Sequence, residues 1–190
     1  LSLKHKNWLK EKFKNVEHYL VNLDLLFETF KSSLSNFNSE HGMANSRARL
    51  RMVTLYQVAA ANNGIVVGTG NKVEDYGVGF FTKYGDGGVD ISPIADLIKT
   101  EVFELAKHLN IINDIIIAKP TDGLWDDERT DEDQIGASYS ELEWAMNFNG
   151  EESELNKREK EVLKIYIELN RKNQHKMTGI PICIIPKILK

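Results

Sequence analysis

The sequence predicts an α/β domain built on a mostly parallel sheet with helices on its faces. Three observations carry that expectation. An apolar-periodic helix over 42–62 closes on Asn63-Gly64, the short β-branched run IVVG (65–68) follows at once, and a glycine-rich loop follows that run. Helix, short turn, buried strand and glycine loop is the order that builds βαβ sheets, and a loop at the carboxyl end of such a strand is where open α/β sheets bind ligands. The chain has 190 residues, 42% of them hydrophobic. That supports one core rather than two, so a single domain over 1–190 is expected.

Residues 5–14 read as the end of an amphipathic helix. VEHYLVNL (16–23) reads as a strand, favoured by Val16, Tyr19 and Val21. Asp24 is placed to cap a helix over LLFETFKSSL. In the 42–62 helix, Met52, Leu55, Tyr56 and Ala59 stand at i, i+3, i+4, i+7 and define its inner face. Gly64 is expected in the left-handed position after it. IVVG, apolar at every position, reads as a strand buried on both faces. A helix is expected over 96–109, mostly loop over 111–136, and helices over 138–148 and 157–176. The tail IPICIIPKILK is apolar and interrupted by Pro181 and Pro186. No internal repeat or low-complexity segment is present.

Composition excludes several function classes. The net charge is −4, so no basic surface announces a nucleic-acid partner. No apolar run approaches the roughly 18 residues of a membrane span. The single cysteine, Cys183, fits a reducing, cytoplasmic setting and, among apolar neighbours, is expected to be buried and inert. No His/Cys pair has zinc spacing, and nothing supports nucleophilic catalysis.

What remains points to an anionic ligand. NSRARLR (45–51) is read as a helix start, where free N–H groups and guanidinium forks bind anions; a solvated basic helix start is the plain alternative. Because Arg47, Arg49 and Arg51 alternate by two, the three cannot share one helical face. In GTGNKVED (68–75), Gly68 and Gly70 allow close backbone approach, Thr69 can donate to a phosphate, and Glu74 is a carboxylate of the kind that holds Mg²⁺ beside phosphates. An ordinary turn with a surface Glu is the alternative there. In GFFTKYGDGGVD (79–90), Lys83 and Asp90 bracket a glycine-rich turn that also carries Asp86, and Phe80 and Phe81 offer surfaces for ring stacking. Lys99 stands near a helix start and could reach a phosphate, though in isolation a plain surface lysine is the stronger reading. Thr121 lies in an acidic loop, and His175-Lys176 ends the last long helix, where a capping role toward the helix dipole suffices. The residues alone reach an α/β domain that binds a nucleotide-like anion with Mg²⁺.

Taken in order, NSRARLR, GTGNKVED, GFFTKYGDGGVD, SPIADLIKTEVFELAKHL, KPTDGLWDDERTDEDQIG and the late His-Lys resemble the NAD synthetases, over about residues 41–178. The resemblance implies a doubly wound, adenine nucleotide alpha hydrolase-like fold. It also implies a reaction: ATP adenylylates the carboxylate of nicotinic acid adenine dinucleotide (deamido-NAD), and ammonia displaces AMP to give NAD. On that resemblance Arg49, Lys83, Asp90, His175 and Lys176 bind deamido-NAD. Thr69, Lys99 and Thr121 bind ATP, and Glu74 holds Mg²⁺. Lys99 and Asp86 act in catalysis, Asp86 by orienting or deprotonating ammonium. The acidic loop 121–134 becomes a lid that excludes water. A homodimer is implied, with helix 42–62 as its interface. The family's S-G-G-x-D-S phosphate loop has no counterpart here, so the first strand, that loop and its helix are expected to be absent. The alternative kept beside the enzyme is an inactive deamido-NAD-binding module.

Overall fold

The structure, a computed structural model, describes residues 1–127 and 129–189. Glu128, inside the predicted lid, and Lys190, the end of the predicted domain, lie outside the described residues. Eight α-helices are described: α1 (Ser2–Lys12), α2 (Asp24–Ser33), α3 (Glu40–Ala61), α4 (Lys99–His108), α5 (Asn113–Ile116), α6 (Asp131–Ile135), α7 (Tyr139–Asn147) and α8 (Lys157–Met177). A single wide π-turn, Val73–Val78, lies between α3 and α4.

The core is built on that turn. Val73 and Val78 are fully enclosed by Leu142 and Ala145 of α7 and by Val162 and Leu163 of α8, with Ile135, Ala137 and Tyr139 closing the cluster. The turn fits because α8 satisfies its free carbonyls. The side-chain amides of Asn170 and Asn173 donate to the carbonyls of Gly77 and Val78 at 2.7 and 2.8 Å. Lys176 Nζ donates to those of Gly79 and Phe81 at 2.6 and 2.7 Å. Positions 170, 173 and 176 share one helical face, so one stripe of α8 closes the turn's carboxyl end.

The predicted sheet is not present among the described residues. Parallel pairing is confined to one bridge, Val67 with Ile91, flanked by Asp90 N–H to the Val66 carbonyl at 2.9 Å and Gly68 N–H to the Ile91 carbonyl at 2.8 Å. Pairing goes no further because the Asp90 carboxylate, rather than a backbone carbonyl, accepts the Val66 N–H at 2.7 Å. Val66 alone of this run is buried among its apolar residues; Ile65 and Val67 are more than half exposed, so the run is not enclosed on both faces. Residues 16–23 are irregular rather than a strand, with Tyr19, Leu20 and Val21 in solvent. An extended segment without a hydrogen-bonding neighbour has no ladder to join.

The helices agree with the sequence in place and differ in detail. Asp24 is the first residue of α2 and not its cap; its N–H donates to the Asn22 side chain at 2.7 Å. Helix α3 begins five residues before the NSRARLR stretch, capped by Ser39, so those arginines lie in the helix body and not at its anion-binding start. Its inward positions are Ala44, Ala48, Met52 and Tyr56, while Leu55 faces solvent. At its end Asn63, not Gly64, is left-handed (φ 54°). Helix α4 begins at Lys99, and the predicted 111–136 loop contains the short helices α5 and α6. Cys183 is exposed, because the tail around it packs on nothing described: Ile180, Ile182 and Ile184 are all in solvent.

Candidate active site

Two glycine loops face one another across the end of α8. Gly68 and Gly70, with Asp75 and Tyr76, form one wall, Phe81, Asp86, Gly87 and Val89 the other, and Lys176 and Met177 close the far side of a cavity of about 160 Å³. The glycines serve packing within the protein before any ligand arrives. A Cβ at Gly85 would stand 3.0 Å from the Ala48 side chain, and one at Gly88 would stand 3.0 Å from that of Met52, so α3 can seat against the loop only where side chains are missing. At Gly70 a Cβ would meet the Asp75 carboxylate at 2.3–2.5 Å.

The first loop ends in a reciprocal cap. Asn71 Oδ1 accepts the N–H groups of Val73 and Glu74 at 3.0 and 3.1 Å, and Glu74 Oε2 accepts the Asn71 N–H at 3.1 Å. This is capping-box chemistry on a π-turn, and it fixes where the Glu74 carboxylate points. Lys99 Nζ reaches Glu74 Oε1 at 3.0 Å, and the Tyr139 hydroxyl donates to the same oxygen. Lys99 also lies 4.5 Å above the Tyr139 ring. The start of α4 is held there by buried Glu143 of α7, which accepts the N–H and hydroxyl of Thr100, both at 2.9 Å. The predicted metal ligand and the predicted ATP-binding lysine are therefore an ion pair, mostly enclosed.

Titratable groups around the cavity are perturbed by their surroundings. Burial, with the negative charges of Glu74 and Asp86 beside it, raises Asp75 to about 6. Asp86 is also raised by desolvation, against the opposing hydrogen bond from the Thr82 N–H at 2.9 Å and the charge of Lys176. Burial lowers Lys176, while Asp86 pulls it back up. A low local polarity and paired opposite charges are the usual setting for proton transfer.

Of the residues picked from the sequence, several meet. Arg49 Nε donates to the Lys83 carbonyl at 3.3 Å, and Lys83 Nζ donates to the His175 carbonyl, so α3, the second loop and α8 are tied in series. Lys176 holds the Phe81 carbonyl as well as facing Asp86, and Phe81 lines the cavity. Phe80 instead packs on the core. Asp90 is engaged internally, accepting the Val66 N–H and the Tyr56 hydroxyl. Thr69 and Thr121 are exposed. Arg47 and Arg51, one turn apart, do share a face: they donate to the carbonyls of Leu124 at 2.7 Å and of Asp122 and Gly123 at 3.1 and 2.7 Å, docking the acidic loop on α3.

A Mg²⁺ ion at Glu74 would find a single carboxylate. Among the described residues no three acidic, His or Cys side chains form a metal cluster. Both Glu74 oxygens already have protein donors, so a cation here would share that carboxylate with them, with phosphate and water oxygens completing its shell. That is the manner in which Mg²⁺ accompanies nucleotides.

Comparison with known proteins places these motifs. Residues 2–179 match the family described as NAD synthase. The chain is 40% identical over 161 residues to the NH(3)-dependent NAD(+) synthetase of Thermoplasma volcanium, covering 85% of this chain and 64% of that protein. It is 40% identical over 166 residues to the enzyme of the same name from Carboxydothermus hydrogenoformans, covering 85% and 65%. The chain thus spans slightly less than two thirds of the length of both. Among solved structures, the NMN synthetase of Francisella tularensis superposes with a TM-score of 0.77 at 34% identity, covering 91% of this chain and 68% of that one. The NH3-dependent NAD synthetase of Campylobacter jejuni superposes at 0.69 and 25% identity, covering 90% and 67%.

Proposed function

The chain belongs to the NAD synthase family, and on that premise we propose that it amidates the carboxylate of deamido-NAD with ammonia, driven by ATP. The observation that carries this reading is the enclosed Glu74–Lys99 pair, in a chain whose next residue, Asp75, lines the cavity shared by both glycine loops and the end of α8. In the proposed reaction a carboxylate oxygen attacks the α-phosphorus of ATP and pyrophosphate leaves. Ammonia then attacks the carbonyl carbon, the C–N bond forms, and AMP departs with the bonding electrons. Lys99 stabilises charge developing on the leaving phosphates. Mg²⁺, when bound at Glu74, neutralises phosphate charge. Arg49, Lys83, Asp90, His175 and Lys176 bind the dinucleotide, and Thr69 and Thr121 contact ATP. Asp86, its proton affinity raised, orients ammonium and takes the proton that must leave it before ammonia attacks; the second proton, released as the C–N bond forms, passes to solvent. Loop 121–134, docked by Arg47 and Arg51, shields the acyl adenylate from water. A cytoplasmic homodimer that uses the exposed face of α3 completes the proposal.

A second reading follows from the NMN synthetase likeness: the same amidation on the mononucleotide substrate. Incubating the chain with ATP, Mg²⁺, ammonium and either nucleotide separates the two. NAD from the dinucleotide supports the first reading, and NMN with a clear preference for the mononucleotide supports the second. No amide from either leaves an inactive nucleotide-binding module. Asp86→Ala is expected to raise the KM for ammonium at least about tenfold, the scale of a lost acid–base partner; an unchanged KM removes Asp86 from that role.

A further inference from the structure

The Tyr139 hydroxyl and the Asp131 carboxylate have no place in the reaction described above, yet they touch its most enclosed charge. Tyr139 begins α7 and is 5% exposed. Its hydroxyl donates to Glu74 Oε1, and Asp131 Oδ2 lies 3.2 Å from the same hydroxyl. Asp131 is 7% exposed, and its other oxygen, Oδ1, has no hydrogen-bond partner among the described residues. A buried carboxylate oxygen without a donor is costly unless something else uses it. The neighbouring Glu132 accepts the Tyr139 N–H at 2.9 Å. Helix α6 therefore holds Tyr139 by its backbone N–H and sets Asp131 beside its hydroxyl, as a second acceptor for the one proton that Glu74 takes. Through the Asp131 N–H, which donates to the Pro120 carbonyl at 3.0 Å, α6 is also tied to the stretch that carries Thr121.

We propose that Tyr139 is a positioning residue: Glu132 fixes its backbone from the acidic loop, Asp131 stands beside its hydroxyl, and that hydroxyl fixes the Glu74 carboxylate against Lys99 for the ATP phosphates and their Mg²⁺. This rests on the reading of the site as an ATP-dependent amidation site. A ring without a hydroxyl would keep the packing on Val73 and Leu142 and the cation–π contact to Lys99, but would free Glu74 to turn. Docking of the acidic loop would then no longer be felt at the phosphate site. Partners that orient a metal-binding side chain are each worth about 10- to 100-fold in metal affinity or activity.

The test is the Tyr139→Phe chain, with Asp131→Asn as a second variant whose substitution lies outside the α7–α8 core. Binding of Mg²⁺–ATP is measured by titration calorimetry, and KM values for Mg²⁺–ATP, ammonium and the nucleotide substrate are measured in parallel. The expected result is a rise of about tenfold or more in Kd and KM for Mg²⁺–ATP in each variant, with the KM for ammonium unchanged and the melting temperature of Tyr139→Phe close to that of the parent chain. Unchanged Mg²⁺–ATP affinity in both variants would overturn the proposal, as would equal losses for all three substrates. Should Tyr139→Phe fail to fold, Asp131→Asn decides alone on the same readouts. A parent chain that neither binds Mg²⁺–ATP nor turns over would overturn the functional reading itself, and this inference with it.

Discussion

A carboxylate as enclosed as that of Glu74 persists because three donors answer it: Lys99, the Tyr139 hydroxyl and the Asn71 N–H. Removing one partner of a buried pair costs more than removing both, since it strands a charge. Lys99→Met is therefore expected to destabilise the fold by about 3 kcal/mol or more, and the double variant Glu74→Gln/Lys99→Met to recover most of that loss. Urea unfolding of the parent, both single variants and the double variant checks the sign of the coupling. The sequence makes Glu74 and Lys99 visible as separate candidates. It also contains the N-x-x-E spacing of the cap that orients Glu74, a signal available in Asn71 and Glu74 themselves. It hides Tyr139, because that residue's role depends on a partner far off in the chain and no local pattern marks it. Asp75 is hidden for a related reason: its raised proton affinity comes from burial against the cavity wall.

At the scale of elements, the π-turn decides the architecture. Its last carbonyls are closed by the 170-173-176 stripe of α8, and it exits through Gly79 at φ 64°, where a Cβ would press to 2.4 Å from Asn173 Cβ. Gly79→Ala combines a disfavoured backbone with a clash against a helix. It is expected to cost about 2 kcal/mol or more and to loosen the loop that holds Lys83 and Asp86. Leu142→Ala, a deletion in the same core, is expected to cost about 2–5 kcal/mol; calorimetric melting reads both. Helices were legible because 3.6-residue periodicity and caps are local: α3, α7 and α8 all fall within a few residues of expectation. The sheet was less so. The IVVG run has strand composition, but pairing depends on a neighbour, and Asp90 takes the Val66 N–H that a second rung would have used. Cys183 is exposed for the same reason: apolar neighbours in sequence bury a thiol only when the segment packs on something.

Across the whole molecule, stability is concentrated where α7 and α8 meet. Arg158 of α8 forks onto Glu141 of α7 at 2.7 and 2.8 Å, and this, with the hydrogen bonds from Ser138, holds the Glu141 carboxyl down at about 2. A carboxyl whose folded-state pKa is depressed stabilises fully above its ordinary range and loses that contribution as pH falls toward about 2. Glu141→Gln is expected to be less stable than the parent at pH 7 by up to about 1 kcal/mol, the scale of a solvent-facing pair, and equal to it near pH 2; urea midpoints across that range test it. No helix among the described residues is long and apolar enough to cross a membrane. Exposed Leu55 of α3, more than half in solvent, is the basis of the proposed dimer face. Leu55→Asp is expected to shift sedimentation toward the monomer without lowering the melting temperature of the protomer.

The most direct measurement of the central claim follows the oxygen atoms. The nicotinate carboxylate is labelled with ¹⁸O, the chain is supplied with ATP, Mg²⁺ and ammonium, and the products are weighed by mass spectrometry. An acyl adenylate at this site predicts one labelled oxygen in AMP for each amide formed, with unlabelled pyrophosphate. Label in inorganic phosphate together with ADP, or amide formed with no label in AMP, would contradict it.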